Sequence, residues 1–394
     1  MLGQAINLSF RLDMSVNSTQ PDASSSAKQF WRTAIPLLLS LCAVSLLTNG
    51  YILLATRWLR RPLSPILSLT VSLCAADFWM SLNVAASLLL LTYLPVMLAF
   101  YGNVNQCFAL VLVILRLSAL ITSVLHLLAL TLHHWVGISR PLHYAVTMTP
   151  ERTYFLIGLL WLLPLLGFLL CFCAVPEQAF RSPKCTTVDF YHSFSFRCVV
   201  GGLTMLPLGV MCAMYAHILL VLWRRRRHNQ SFRCTRRRGS IHAGTLKTAS
   251  TTGLYLGTFV IGWLPGILVF TLICVHHCPL DDWNLWGHTV LGILLTKTLV
   301  NALTIVKSMC NAFIYGARVV EIRQAITAMH QSLCAKHSST AHLFHKSSAQ
   351  FGRPSRTCSG SSLACSIRLN TASNGRTTAE EIELISPATP SFSL

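Results

Sequence analysis

The chain is short of charged residues, and most of all of acidic ones. Only 11% of its 394 residues are Asp, Glu, Lys or Arg, whereas 53% are hydrophobic, and 12 acidic residues face 31 basic ones. A soluble domain carries charge on about one quarter of its residues. The mean hydropathy is +0.56. This composition excludes an ordinary soluble domain and favours a membrane protein.

The sequence contains long, nearly uncharged apolar runs. Seven of them are long enough to cross a hydrocarbon core of about 30 Å, which takes about 20 helical residues. They lie near 33–57, 66–94, 106–137, 153–175, 194–223, 248–275 and 285–316. In lipid only helices or closed barrels satisfy the backbone, and these runs are too long and too continuously apolar for barrel strands. The sequence therefore predicts an all-α bundle of seven transmembrane helices over 33–316.

The basic residues are concentrated at alternate joins between these runs. Arginines cluster within 57–61, 140–152 and 224–238, whereas the joins 95–105 and 276–284 contain no Lys or Arg. By the positive-inside rule, this pattern predicts that the N-terminus lies outside and the C-terminus lies inside. Anionic membrane lipid at the helix ends explains the Arg clusters, so we expect no nucleic-acid partner.

Residues 1–32 are predicted to be an extracellular segment. Residues 1–30 are polar and contain no apolar core ahead of a cleavage site, so a cleavable signal peptide is not expected. The first helix is interpreted as an uncleaved anchor. Asn7 and Asn17 each begin a glycosylation acceptor triplet on the predicted outer face.

Four cysteines lie near predicted outer loops. Cys107 begins the third run and Cys185 lies in the next outer loop, where an oxidising exterior makes a bridge between them the expectation. Cys274 and Cys278 flank the last outer loop, with two histidines between them. We interpret them as a second local disulfide. Zinc is the alternative, but four ligands within five residues are too crowded for tetrahedral closure, so no metal or cofactor is expected.

The pattern changes after residue 316. Charged and apolar residues alternate from Arg318 to Ile326, which predicts a short amphipathic helix on the membrane surface over 317–334. Cys334 at its end is a candidate for palmitoylation. Residues 335–394 are rich in Ser, Thr and Gly and predict a disordered cytoplasmic tail. The basic inner loop 224–247 is either a solvated charge run facing the membrane or a docking surface for a cytosolic partner.

The sequence offers little support for an enzyme or a transporter. No Ser-His-Asp or Glu-based constellation is apparent, and His126, His217 and His242 are scattered, as packing or interface residues are. A transporter or channel would be expected to contain inverted repeats or broken helices around a polar path. The intramembrane charges are too few for such a path.

Short motifs occur on six of the seven apolar runs. They are Thr48–Gly50 in the first run, Ser72–Asp77 in the second, Trp161 in the fourth, Pro207 and Tyr215 in the fifth, Phe259, Trp263 and Pro265 in the sixth, and Asn311–Tyr315 in the seventh. Together they resemble the motifs of the rhodopsin-like (class A) G protein-coupled receptors over about 33–332, and Cys107 and Cys185 match the loop disulfide of that family. The resemblance implies a receptor that binds an extracellular ligand between its helices and signals to a heterotrimeric G protein and arrestin.

The resemblance also implies a set of switch residues. Trp263 lies above Phe259 beside the bend allowed by Pro265, and would couple ligand pressure to rotation of the sixth helix. The motif residues Tyr215, Asn311 and Tyr315 are assigned to the same switch. Asp77, Asn49 and Ser123 would form the buried sodium site of the family.

The first departure from the family pattern is at the inner end of the third helix. The position of the family's Asp-Arg-Tyr is occupied by His133, His134 and Trp135. A histidine is shorter than arginine, is only partly charged at neutral pH and cannot make the same forked contacts. Coupling to a G protein is therefore in question. A non-signalling decoy, scavenger or receptor-modulating partner is the alternative function.

The second departure is a lysine in the seventh helix. Lys307 lies four residues before Asn311, on a turn that should face Asp77. Because a charge inside the membrane is costly unless it is paired, we predict an ion pair in which the ammonium replaces sodium. The alternative is that Lys307 faces another helix or extends towards the membrane surface.

The third departure concerns the ligand. Arg116 lies eighteen residues before His134, five helical turns outward on the pocket side, where amine receptors of the family carry an Asp. An arginine would repel an amine and attract a carboxylate or phosphate. Lys297 and Asn301 lie near the same level, so with Arg116 they predict an anionic or polar head-group site above Trp263. The alternative is a structural pair between Arg116 and an outer acid, Asp189 or Asp282.

Overall fold

The computed structural model describes residues 21–94, 97, 105–230, 236–274, 280–281 and 290–349. The chain forms two compact units, Met1–His337 and Ser338–Leu394. The first unit contains the helical bundle described below. Of the second unit, the structure describes residues 338–349, which are helical.

Seven long helices, called here the first to the seventh span, are present among the described residues. They are Pro21–Ala55, Pro65–Leu88, Gln106–Ser139, Pro150–Ala174, Phe194–Gln230, Arg236–Leu272 and Val290–Arg318. Within the described residues, six helices are long and apolar enough to cross a membrane, and Leu256–Leu272 in the sixth span is a shorter apolar helix. The predicted all-α bundle is confirmed.

Shorter elements connect the spans. They are the 3₁₀ turn Thr56–Trp58, the π turn Leu89–Tyr93 that extends the second span, the helix Pro141–Thr147, the 3₁₀ turns Ala179–Arg181 and Pro183–Cys185, the helix Asp189–His192, the strands Ile273–Cys274 and Leu280–Asp281, and the final helix Val320–Ala349. The two strands pair in parallel, with Ile273 opposite Leu280.

Local sequence sets where several spans begin. The side chain of Ser64 accepts a hydrogen bond from the backbone N–H of Leu67, and Pro65 occupies the first turn. Thr149 caps the fourth span in the same way through the N–H of Arg152, ahead of Pro150. A capping hydroxyl followed by proline satisfies a free N–H and presets the first helical φ.

Three helices extend past the boundaries predicted from the sequence. The first span begins at Pro21, inside the segment 1–32 that was predicted to precede the bundle. The sixth span begins at Arg236, inside the predicted inner loop 224–247. The final helix runs on to Ala349, past the predicted end at 334.

The hydropathy pattern locates the membrane-embedded part of a helix and not its aqueous ends. Pro21 and Asp22 suit a first helical turn, and after Arg318 no Gly or Pro interrupts the chain before Gly352. Residues 350–394, the rest of the predicted disordered tail, lie outside the described residues.

The two largest groups of buried apolar side chains fill most of the bundle. The larger is central and includes Leu73, Val124, Phe259, Trp263 and Tyr315. The second lies at the end that carries Cys107 and Cys185, called here the outer end, and joins the third, fourth and fifth spans to the loop between the last two of these.

Candidate functional site

A cavity opens between the spans in the outer half of the bundle. The empty space between the spans amounts to about 660 Å³ with its open mouth included. The lining consists of Met80, Val113, Arg116, Leu117, Leu120, Tyr191, Val200, Thr204, Trp263, Gly266, Ile267, Phe270, Val300 and Thr304. Most of these are apolar, and among the described lining residues only Arg116 is charged.

Of the two terminal guanidinium nitrogens of Arg116, one has a hydrogen-bond partner among the described residues and the other has none. Its Nη2 donates a hydrogen bond to Asn301 Oδ1 at 2.6 Å. Its Nη1 is buried and has no hydrogen-bond partner among the described residues. The structure therefore brings Arg116 and Asn301, two of the three predicted head-group residues, together. One guanidinium nitrogen, Nη1, has no partner among the described residues.

The alternative partners of Arg116 are not engaged in the described part of the chain. Asp189 is exposed, and the described residues contain no ion pair between it and Arg116. Asp282 lies outside the described residues. Lys297 lies in the seventh span, but its side chain is outside what the structure describes.

The loop above the cavity is tied to the third span by a disulfide. The expected bridge between Cys107 and Cys185 is present, with the two Cα atoms 5.1 Å apart. The loop is also bonded internally: the Ala179 N–H donates to Thr187 O at 2.7 Å, and the Phe190 N–H donates to Gln178 Oε1 at 2.8 Å. These bonds fix the short helix that follows.

That helix, Asp189–His192, brings Tyr191 into the cavity wall. Tyr191 is 4% exposed, and its ring packs against Phe270, with 6.3 Å between ring centroids. The guanidinium of Arg197 lies 5.1 Å from the centre of the Phe270 ring and donates to Phe270 O at 3.2 Å. Burial raises the pKa of Tyr191, and the positive charges of Arg197 and Arg116 oppose this rise. The phenol therefore keeps its proton at physiological pH.

A polar cluster lies below the cavity, centred on Asp77. Lys307 Nζ is 3.1 Å from Asp77 Oδ1 and donates to Ser123 Oγ at 2.7 Å. The Ser123 hydroxyl donates to Asp77 Oδ1 at 3.2 Å, and Asn311 Nδ2 donates to Asp77 Oδ2 at 2.7 Å. Asp77 is 0% and Lys307 1% exposed. The lysine and the aspartate thus form a buried, hydrogen-bonded ion pair.

Asn49 lies beside this cluster and does not bond to Asp77 directly. Its Nδ2 donates to Ser45 O at 3.0 Å and to Ser308 O at 3.4 Å. It therefore links the first span to the seventh.

Trp263 connects the cavity to the polar cluster. It lines the cavity and stacks on Phe259, with 6.4 Å between the ring centroids. Lys307 Nζ lies 5.9 Å from the centre of the Trp263 ring. Pro265 is inside the same helix. A ligand that moves Trp263 would therefore act next to both Pro265 and the ion pair.

The inner end of the third span is held by contacts that the Asp-Arg-Tyr pattern would not make. His133 is 1% exposed and its ring meets Tyr144 edge-on, with 6.1 Å between centroids. His134 is 9% exposed. Trp135 Nε1 donates to His217 Nδ1 at 3.1 Å, which joins the third span to the fifth.

The remaining predicted switch residues lie where the spans approach one another. Tyr315 is fully buried, and Asn311 Oδ1 accepts from Thr258 Oγ1 at 3.4 Å. The ring of Tyr215 lies where a side chain on Gly253 would be, so the fifth and sixth spans are close at this level.

Other predicted modification sites are only partly described. Asn7, Asn17 and Cys278 lie outside the described residues, and Cys274 is in a strand whose side chains are not described. Cys334 is exposed on the final helix.

Sequence reasoning treated His126 as a packing or interface residue and did not predict that it bridges three spans. His126 Nδ1 donates to Thr122 O at 2.8 Å, its Nε2 bonds to Ser72 Oγ at 2.8 Å, and Trp161 Nε1 donates to Ser72 Oγ at 3.0 Å. It also missed Tyr191 and Arg197. A polar side chain inside an apolar run was the available signal for His126 and Arg197, whereas nothing in the pattern marked Tyr191.

Comparison with known proteins points to the same seven-helix architecture. Residues 48–315 match the family described as 7 transmembrane receptor (rhodopsin family). The chain is similar to adenosine receptor A3 of Canis lupus familiaris, at 26% identity over 74% of this chain and 87% of the relative. It is also similar to adenosine receptor A3 of Ovis aries, at 27% over 74% and 86%, and of Bos taurus, at 25% over 79% and 92%. Since the family match covers well over half of its length, the chain belongs to the rhodopsin family of seven-transmembrane receptors.

Proposed function

We propose that the chain is a plasma-membrane receptor, with its N-terminus outside and its C-terminus in the cytoplasm. It binds a small molecule in the outer cavity and signals to a heterotrimeric G protein and arrestin. The family supports the receptor role, and the alternation of basic joins supports the orientation. The cavity supports a small ligand held between the spans.

The ligand carries an anionic or strongly accepting head group on an apolar body. The observation that carries this proposal is the buried Nη1 of Arg116, which has no partner among the described residues. A buried donor left unpaired is costly, so a ligand acceptor at this place is stabilised. No carboxylate is among the described lining residues, so nothing there compensates a cationic ligand.

The relatives' named ligand is a weaker candidate for this chain. Adenosine is uncharged, so it would leave the charge of Arg116 uncompensated. Identities of 25–27% also leave room for a change of ligand. Adenosine is therefore not the proposed ligand.

The experiment compares three probes of one chain length: decanoate, decanol and decylamine. The purified full-length chain in lipid nanodiscs is melted with each probe. Decanoate is expected to raise the melting midpoint most, because a ligand that binds only the folded state stabilises it. Arg116→Met is expected to weaken decanoate binding by roughly 30-fold, the loss of charge-assisted hydrogen bonds.

Arg140→Met is the matched control, since Arg140 is exposed and far along the chain from the cavity residues. It should leave the effect of decanoate unchanged. Equal stabilisation by all three probes, or an Arg116→Met chain that still prefers decanoate, would contradict the proposed head-group site.

One observation favours a second candidate, a non-signalling protein of the same fold. The inner end of the third span carries His133, His134 and Trp135, and Trp135 is bonded to His217 of the fifth span. A scavenger or a partner that modifies another receptor needs the cavity but not the arginine that contacts a G protein. A signalling assay, given at the end of the Discussion, separates the two candidates.

A further inference from the structure

The acceptor cluster at Asp77 does not fit the sodium ion that the family resemblance implies. We infer that the ammonium of Lys307 fills this cation site permanently, and that Gly262 is the positioning residue that lets it do so. The inference concerns the resting bundle and does not depend on which ligand the cavity binds.

The oxygens that a sodium ion would need are already engaged. Asp77 Oδ1 accepts from Lys307 Nζ at 3.1 Å, from Ser123 Oγ at 3.2 Å and from Ser308 Oγ at 3.4 Å. Ser123 Oγ itself accepts from Lys307 Nζ at 2.7 Å. The ammonium of Lys307 thus donates hydrogen bonds to both the carboxylate of Asp77 and the hydroxyl of Ser123.

The charge count also argues against a metal ion. One aspartate faces one lysine, and the two side chains are 0% and 1% exposed. The pair is neutral as a unit. A sodium ion added beside it would introduce an uncompensated buried charge, which is strongly unfavourable.

Gly262 makes room for the stem of Lys307. A Cβ on Gly262 would lie 2.5 Å from Lys307 Cβ, 3.1 Å from Lys307 Cγ and 3.2 Å from Leu303 O. The first distance is shorter than any real carbon contact, and one of the other two involves rigid backbone.

The same lysine therefore ties the sixth span to three others. Its stem packs on Gly262, its ammonium reaches Asp77 of the second span and Ser123 of the third, and the ammonium lies 5.9 Å from the centre of the Trp263 ring. A side chain at position 262 would push the lysine stem away and loosen the ammonium from its acceptors.

The test measures melting of the purified full-length chain in sodium chloride and in choline chloride at equal ionic strength. The unmodified chain is expected to melt at the same temperature in both salts. Lys307→Ala vacates the acceptors and is expected to melt higher in sodium than in choline. If Lys307→Ala does not fold, Lys307→Ser keeps a hydrogen-bonding side chain and should gain the same sodium preference.

Gly262→Ala tests the positioning residue, and Gly257→Ala is its control because a Cβ on Gly257 would meet nothing within 4 Å. Gly262→Ala is expected to lower the midpoint by roughly 5 °C from overpacking, whereas Gly257→Ala should not lower it. A Lys307→Gly background removes the stem and should make Gly262→Ala nearly neutral. Gly262→Ala should also gain part of the sodium preference, which a merely structural role would not produce.

Stabilisation of the unmodified chain by sodium would overturn the inference. So would a failure of both Lys307 variants to acquire a sodium preference. If Gly262→Ala lowers the midpoint without any sodium preference, Gly262 is a packing residue only and its assigned role is wrong. None of these outcomes bears on the decanoate experiment, so the proposed function can fail or succeed separately.

Discussion

At the scale of single residues, Lys307 and Arg116 differ in the partners that their charges have. Lys307 is matched by Asp77 and satisfied by Ser123. Arg116 has only the amide oxygen of Asn301 and keeps a free donor among the described residues. Because a buried charge without a counter-charge is costly, Lys307 suits a structural role and Arg116 suits a ligand. The difference lies in the partner and not in the cation.

Tyr191 is expected to assist Arg116 in holding the head group. It lines the same cavity, and because burial raises the pKa of its phenol, the side chain stays protonated and adds no negative charge beside an anion. Tyr191→Phe should weaken decanoate binding by roughly 10-fold, the contribution of one hydrogen bond to a charged group, and the melting midpoint of the free chain is measured beside it. Tyr154→Phe, at an exposed tyrosine of the fourth span, should change neither quantity. Unaltered decanoate affinity in Tyr191→Phe would remove Tyr191 from the site.

Residue-scale features were predictable where helical spacing and the cost of charge act together. Lys307 lies one turn from Asn311, and the need for a counter-charge pointed to Asp77. The position of Asn301 near Arg116 followed from the same spacing. Gly262 could not be identified, because its contact depends on how closely the axes of two spans approach. Tyr191 could not be identified either, because it lies in a loop without periodicity.

At the scale of elements, the outer loop depends on one covalent link. The disulfide joins Cys185 to Cys107 across 78 residues, and the helix with Tyr191 begins four residues after Cys185. The internal hydrogen bonds of the loop shape it locally, but only the disulfide anchors it to the third span covalently. The loop wall of the cavity therefore depends on this bond.

Cys185→Ser is expected to destabilise the chain by about 3 kcal/mol, since the bridge restricts the unfolded chain. It should also weaken decanoate binding, because Tyr191 is no longer held in the wall. Melting curves and probe titrations of the same protein measure both effects. Cys334→Ser, at an exposed free cysteine, is the control and should leave both unchanged. A Cys185→Ser chain with normal affinity would mean that the loop is ordered without its bridge.

Helix existence followed from hydropathy, but helix ends did not. The first span starts at Pro21, and the final helix runs to Ala349, because residues outside the membrane continue a helix wherever no breaker stops it. Capped starts such as Ser64 and Thr149 lie one residue before the first helical proline. They could be located closely from the sequence.

At the scale of the whole molecule, the receptor architecture is retained while its inner signalling motif is changed. The seven spans, the outer disulfide and the tryptophan above Phe259 follow the family. The inner triplet does not. His133 packs on Tyr144, and Trp135 bonds to His217, so the inner ends are joined by contacts of a different chemistry. We expect this inner end to decide whether ligand binding in the cavity is transmitted to a cytosolic partner.

Signalling without added ligand is therefore the most direct measurement. Second-messenger levels and arrestin recruitment are compared in cells expressing the unmodified chain, the His133→Asp/His134→Arg chain, and neither, with surface expression matched. The receptor account predicts signal above the empty cells from the unmodified chain, and a larger signal once the acid and arginine are restored. An unmodified chain that is silent in both assays, beside a restored chain that signals, would contradict it and identify a non-signalling protein.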